Sequence, residues 1–288
     1  MKKNLLAVLV AGTFMVACNN SDSTSSTAIK AYDGPVQFAA VAYDCGDDTA
    51  NNPIKGDSGV TGFDGSVSTN VPTLLNEPNL CRIVVTGTPT AIDTSNGKLM
   101  PDIEYVIPKG LLAKGKGITA GPFTTLIDAE MKANNKSATD AATSVVTALY
   151  GEILINNGVD PLEMARDMEG TINKLKAVNS PLVASIIATN NVTSDVLVYS
   201  KTNTVDLATI IKTSKAVAAQ VITVNPNYPN VDGDATKVKV ATFNVGISIT
   251  EATNNGYIST VSEVTKDIPK APVVTGATGS TGLTGGGN

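Results

Sequence analysis

The spacing of apolar residues changes character once along this chain, near residue 121, and that change limits the folds open to it. From Ala28 to about Gly121 the chain is rich in Val, Ile, Thr and Gly, with turn signals at intervals of roughly ten residues. That is the pattern of short antiparallel strands. From 122 to 223 apolar residues recur three and four apart, the period of a helix with one buried face. Strands first and helices second predict an α+β fold, with a small antiparallel β-sandwich at 28–121 and a helical layer or bundle at 122–223. Residues 224–268 return to strand character and predict a C-terminal β-hairpin. The Gly- and Thr-rich tail at 269–288 has too few apolar residues to order itself. Its triplets at Gly276, Gly279 and Gly282 lack the proline a collagen helix needs.

The strands expected are Val36–Asp44, Gly59–Phe63, Ser66–Asn70, Cys81–Gly87 and Asp102–Ile107. Asp64-Gly65 is a tight hairpin signal, and Asn96-Gly97 marks another turn. Helix signals follow. Phe123–Lys132 predicts a short helix. Ser137-Ala138-Thr139-Asp140 has the form of a capping box, ahead of a stripe from Val145 to Leu154 that Gly158 closes. Asp160-Pro161 starts the next helix, with Leu162, Ala165, Ile172 and Leu175 on one face. Ser180-Pro181 opens a third, and Thr204–Val221 forms a fourth. Beyond 236, Phe243, Val245, Ile247 and Ile249 alternate as in a strand, and Asn255-Gly256 reads as the hairpin turn before Tyr257–Val264.

Composition narrows the chemistry. The chain has no His and no Trp, so Ser-His-Asp and Cys-His catalysis and His-ligated metals are excluded. A net charge of −5 opposes nucleic acid binding, and aromatics at 4% leave few stacking surfaces. Three local matches to catalytic motifs are incomplete. Gly56-Asp57-Ser58-Gly59 resembles a serine-protease nucleophile loop without its base. Gly110–Gly117 resembles a phosphate-binding loop with Gly117 where Ser or Thr would hold Mg²⁺. Ser95 and Lys98 have S-x-x-K spacing but follow an Asn-Gly turn and lack the K-T-G partner. Asp44, Asp47, Asp48 and Asp57 crowd one loop and are weak Ca²⁺ candidates. No other cofactor is expected.

The first residues speak to compartment. Lys2 and Lys3 precede an apolar run from Leu5 to Val16, shorter than the roughly 20 residues a bilayer span requires. This is signal-peptide layout, assigned to 1–17. Its end, Met15-Val16-Ala17-Cys18, resembles a bacterial lipobox, which implies that Cys18 carries lipid, palmitate included, and begins the mature chain. Residues 18–27 are then a polar, flexible tether. Asn19 stands where an inner-membrane retention aspartate would, so the outer membrane is the expected location. Export places Cys45 and Cys81 in an oxidising compartment, and with Cys18 taken by lipid they form the expected disulfide. Two buried free thiols are the competing arrangement.

The run Gly34-Pro35-Val36 with Val41-Ala42-Tyr43-Asp44, the run Gly59–Ser68 and the run Ile83–Gly87 with Ile92-Asp93-Thr94 resemble the transthyretin-like, or carboxypeptidase-regulatory-like, β-sandwich. Phe63 and Val67 depart from that family's hairpin. Ile118–Ile127 resembles the segment leading into helices in bacterial surface lipoproteins. The resemblance covers roughly residues 30–160 and implies a non-catalytic module. The expected function is a membrane-anchored lipoprotein of the cell envelope that holds a protein or glycan partner at the surface. The alternatives are a structural component of a secretion or pilus assembly and, further off, a His-independent glycan hydrolase.

Overall fold

A computed structural model describes residues 26–46 and 55–272. Strands β1 (Thr27–Ala31), β2 (Val36–Gln37), β3 (Ala40–Asp44), β4 (Lys55–Val60) and β5 (Ser66–Thr69) come first. A short helix α1 (Pro72–Asn76) and a 3₁₀ turn (Pro78–Leu80) lead to β6 (Arg82–Thr86), β7 (Ile92–Asp93), β8 (Lys98–Leu99), β9 (Glu104–Ile107) and β10 (Thr119–Ala120). Helices follow: α2 (Pro122–Asn134), α3 (Ala138–Tyr150), α4 (Ile153–Asn156), α5 (Pro161–Arg166), α6 (Met168–Ala177), α7 (Leu182–Thr202) and α8 (Leu207–Val224). Strand β11 (Lys237–Thr242), helix α9 (Val245–Asn255) and strand β12 (Ser262–Asp267) complete the order. The class is α+β, with small, mostly antiparallel sheets, then helices, then a C-terminal strand pair.

The largest sheet is antiparallel, in the order β4-β3-β6-β9. A second sheet runs β10-β1-β5, with β1 parallel to β10 and antiparallel to β5. The short strands β2-β7-β8 form a third, and β11 pairs with β12 in the fourth. Cys45 and Cys81 form the expected disulfide. Register explains why they meet. Asp44 on β3 pairs with Arg82 on β6, so the next residue outward on one strand faces the preceding residue on the other. Their Cα atoms are 3.9 Å apart across a sequence separation of 36.

Sheets and helices share one core. Ile29, Val41, Ile83 and Ile107 from the sheets are buried with Leu126, Val146, Ile186 and Val217 from the helices. Each such side chain contributes about 1.5–3 kcal/mol relative to exposure. Helix α2 is fastened to the large sheet by polar contacts as well. The Arg82 guanidinium donates to both Asp128 carboxylate oxygens, at 2.5 and 3.0 Å, and the Val106 N–H donates to Thr125 Oγ1 at 3.0 Å. Helices α7 and α8 are each long and apolar enough to cross a membrane by length and composition. Here they pack on one another and bury Ile186, Val192, Val217 and Val221 in the core.

Several expectations are corrected. The strand expected at Val36–Asp44 is two strands, because Phe38 takes a left-handed turn conformation with φ 62°. Strand β4 starts at Lys55 and ends at Val60, earlier than expected. Asp64-Gly65 is a turn, but β4 and β5 belong to different sheets, so no paired hairpin forms there. Asn96-Gly97 does join the paired strands β7 and β8. The stripe from Val145 to Leu154 is interrupted at Gly151, which has φ 68°, and resumes as α4. The run from Leu162 to Leu175 is two helices, with Asp167 capping the second. The segment around Val245–Ile249 is helix, not strand. Asn244 accepts from the Ile247 N–H at 3.0 Å as N-cap, and Gly256 in the left-handed conformation closes the C-terminus. The final strands pair antiparallel, but across a helix rather than a tight turn.

Candidate functional site

The turn between β1 and β2 carries Tyr32, Asp33 and Gly34, closed by a bridge between Tyr32 and Pro35. Asp93 ends β7, and the turn from it to β8 carries Ser95 and Asn96. The two turns press together at Gly34, where a Cβ would fall 2.3 Å from Ser95 Oγ and 2.4 Å from Asp93 Oδ1. Only glycine permits that approach. Asp93 holds its own turn. Its Oδ1 accepts from the Ser95 N–H and hydroxyl at 2.8 and 2.7 Å, and its Oδ2 accepts from Asn96 Nδ2 at 2.5 Å.

Asp33 is 5% exposed and lies where β9 and α7 converge. Tyr105 of β9 donates its hydroxyl to Asp33 Oδ2 at 3.3 Å and shares a 2.8 Å hydrogen bond with the Ser194 hydroxyl. On α7, Asn190 Nδ2 donates to Asp33 Oδ1 at 3.3 Å. Asn191, with its amide oriented to satisfy both ends, donates to the same oxygen at 3.1 Å and accepts from the Tyr228 hydroxyl at 3.2 Å. Lys98 and Asp195 form an ion pair beside this centre.

Burial governs the electrostatics. Loss of water pushes the Asp33 carboxyl well above the usual range, and the neighbouring Asp93 pushes it further, against the pull of Lys98. Asp93 is raised by burial too, with the Ser95 hydrogen bonds opposing. The Tyr105 phenol is raised by burial and then by Asp33, and burial pushes Tyr228 up to about 12. The centre therefore favours neutral groups.

A cavity of about 270 Å³ opens against one side of it. Asp33, Asn190, Ile172 and Val238 form its buried floor. Tyr32, Ile187, Pro229 and Ile268 are half-buried walls, and Ser95, Lys176 and Asn230 stand exposed at its rim. Among the described residues, Asn190 Oδ1 accepts no hydrogen bond, and neither the Tyr32 hydroxyl nor the Asn230 side chain has a partner. A shallower cleft of about 470 Å³, lined by Val198, Tyr199, Phe243 and Val264, lies beyond the Lys98–Asp195 pair.

The sequence-predicted residues fall elsewhere. Cys18, Asp47 and Asp48 lie outside the described residues. Asp44 closes β3 and pairs with Lys55 at 2.9 Å, which holds its carboxylate below the usual range, while Asp57 is exposed on β4. Among the described residues no group of three acidic or sulfur ligands gathers to hold a metal. Ser95 and Lys98 are both engaged, by Asp93 and Asp195, and form no nucleophile–base pair. The Gly110–Gly117 segment is followed by β10 rather than by a helix N-terminus. Sequence reasoning missed the Asp33 centre. Its one available signal is on α7, where Asn190, Asn191, Ser194 and Asp195 cluster in the middle of a helix that buries Ile186, Val192 and Val196.

No protein-family model matches the chain, and no curated protein or solved structure matches it.

Proposed function

We propose that this chain is a lipid-anchored protein of the bacterial cell envelope, with the outer membrane as its location, which holds a partner at the surface without catalysing a reaction. The observation that carries this reading is the sequence Met15-Val16-Ala17-Cys18 behind Lys2, Lys3 and an apolar run. The cysteine pattern supports it. Of three cysteines, Cys45 and Cys81 pair with each other, leaving Cys18 as the odd thiol. A disulfide suits an exported protein. Two acyl chains on Cys18 supply the double anchor that stable membrane attachment requires. The non-catalytic role draws support from the engagement of Asp33, Asp93, Ser95 and Lys98 in the fold's own contacts, and from the resemblance of residues 30–160 to the transthyretin-like module.

The test is labelled palmitate incorporation into the whole protein and its Cys18→Ser variant in a bacterial host. Label in the first and none in the second is expected, because a thioether to diacylglycerol needs a thiol. Label of equal strength in both would overturn the anchor.

A further inference from the structure

We infer that the cavity beside Asp33 is a binding site for a single neutral pyranose ring, as a free sugar or as the terminal residue of a glycan. This rests on the reading of the chain as a surface partner-holder and names the partner's chemistry.

Size is the first argument. At about 270 Å³ the cavity lies just below the roughly 300–1,000 Å³ of pockets that enclose drug-sized ligands, so it admits one ring and little more. Charge is the second. An anion would meet one cavity-lining cation, Lys176 at the rim, because Lys30 over the Tyr32 ring is paired with Glu169 and Lys98 is paired with Asp195. A cation would meet carboxyls that burial holds toward the neutral form. A neutral ligand meets neither penalty.

The distribution of unused hydrogen-bonding groups is the third. Asn190 Oδ1 is an acceptor on the floor, on a residue 4% exposed. Asn230 offers a donor and an acceptor on one side of the rim. The Tyr32 hydroxyl offers both, and the Ser95 oxygen, having donated its proton to Asp93, keeps lone pairs for a ligand hydroxyl. Between them lie Ile172, Ile187, Pro229 and Ile268. A pyranose presents that alternation, with hydroxyls around its edge and C–H groups on its faces. A wholly apolar ligand would leave Asn190 unsatisfied, which is costly in a buried place.

The experiment is isothermal titration and saturation-transfer NMR on the detergent-solubilised full chain, with methyl glycosides of the common hexoses and N-acetylhexosamines as probes, and with acetate and inorganic phosphate as anionic controls. At least one neutral glycoside is expected to bind with a dissociation constant of about 1 mM, and its ring C–H protons should receive the saturation. Ile187→Trp, which fills the cavity, should abolish binding. Asn230→Ala, at an exposed position that leaves the fold intact, should weaken it about tenfold, the value of one hydrogen bond. Lys176→Ala should change it less than twofold. An oligosaccharide that binds more tightly than its terminal ring identifies a glycan chain as the source, and equal affinity identifies the free sugar. The inference is overturned if no neutral glycoside binds, if Asn230→Ala and a folded Ile187→Trp both bind as the native chain does, or if phosphate or acetate binds in a Lys176-dependent way while the glycosides do not. A chain that carries palmitate but binds no glycoside refutes this inference alone. One that binds glycoside but takes no palmitate refutes only the anchor.

Discussion

Asp33 separates two accounts of the buried polar centre, one in which it organises the fold and one in which it is a tolerated defect. Asp33→Ala removes an acceptor used by Tyr105, Asn190 and Asn191. The three donors do not suffer equally. Tyr105 keeps its 2.8 Å bond to Ser194, and Asn191 keeps its bond to the Asp33 backbone carbonyl. Asn190 keeps only a 3.4 Å contact to the Asp33 carbonyl. One donor is stranded and two are weakened, each stranded group costing about 1–3 kcal/mol, so the loss should be about 2–4 kcal/mol. Asp33→Asn is the control. Its oxygen can accept from Asn190 and Asn191, and its amide can donate to the Tyr105 hydroxyl. It reproduces the neutral carboxyl and should cost about 1 kcal/mol or less.

The measurement is urea unfolding with the disulfide intact, near pH 5 and near pH 7.5. The pH dependence has a definite sign. An unfolded aspartate titrates near 3.9, whereas Asp33 and Asp93 titrate higher in the folded state. Between those values the folded chain binds more protons than the unfolded chain. Stability from these groups is therefore present below about pH 4 and declines as pH rises through their folded pKa values. Asp44, Asp64 and Asp128 are shifted the other way, and their contribution is lost as pH falls below about 4. The native protein should be more stable near pH 5 than near pH 7.5, and Asp33→Asn should reduce that difference. A loss under about 1 kcal/mol for Asp33→Ala, or equal damage from both variants, would refute the reasoning.

Two further substitutions test the frame around the site. Cys45→Ser and Cys81→Ser should each lower stability by about 3–4 kcal/mol, the chain entropy of the loop that the bond closes, and unequal losses in urea titrations would show that one cysteine acts apart from the bond. Gly34→Ala should destabilise by several kcal/mol and displace the turn at Ser95, visible as chemical-shift changes at Asp93–Gly97. Unchanged shifts there would mean that the two turns are not in contact.

The elements legible in the sequence are those that local chemistry decides. Ser137, Asp160 and Asp206 each accept from backbone N–H groups of the following turn, and the helices start where those caps stand. The pairing of Cys45 with Cys81 was readable from cysteine arithmetic, since three cysteines with Cys18 assigned to lipid leave one pair. Helix α9 was not readable as a helix, since its apolar residues follow a strand's period. Its buried face is made by Ser248 and Ala252, one helical turn apart, while Ile247 is left 58% exposed. Small residues carry the packing there, and a pattern built on large apolar side chains cannot register them.

The candidate site is harder to read for a different reason. Asp33, Asp93, Tyr105, Asn190 and Tyr228 come from five separate stretches, and no spacing between them carries information until the fold brings them together. In each stretch the residue has an ordinary local reading: a turn Asp, an Asx-turn Asp, a strand Tyr, a polar helix residue and a loop Tyr. Only α7 betrays the arrangement, because its middle turns place Asn190 and Ser194 on the face that also buries Val192 and Val196 in the core. Burying those groups costs free energy unless each finds a partner. Asn190 finds half of one, donating to Asp33 while its oxygen accepts no hydrogen bond from the described residues, on a residue that lines the cavity. That unspent acceptor separates a merely structural polar core from one with a place for a ligand.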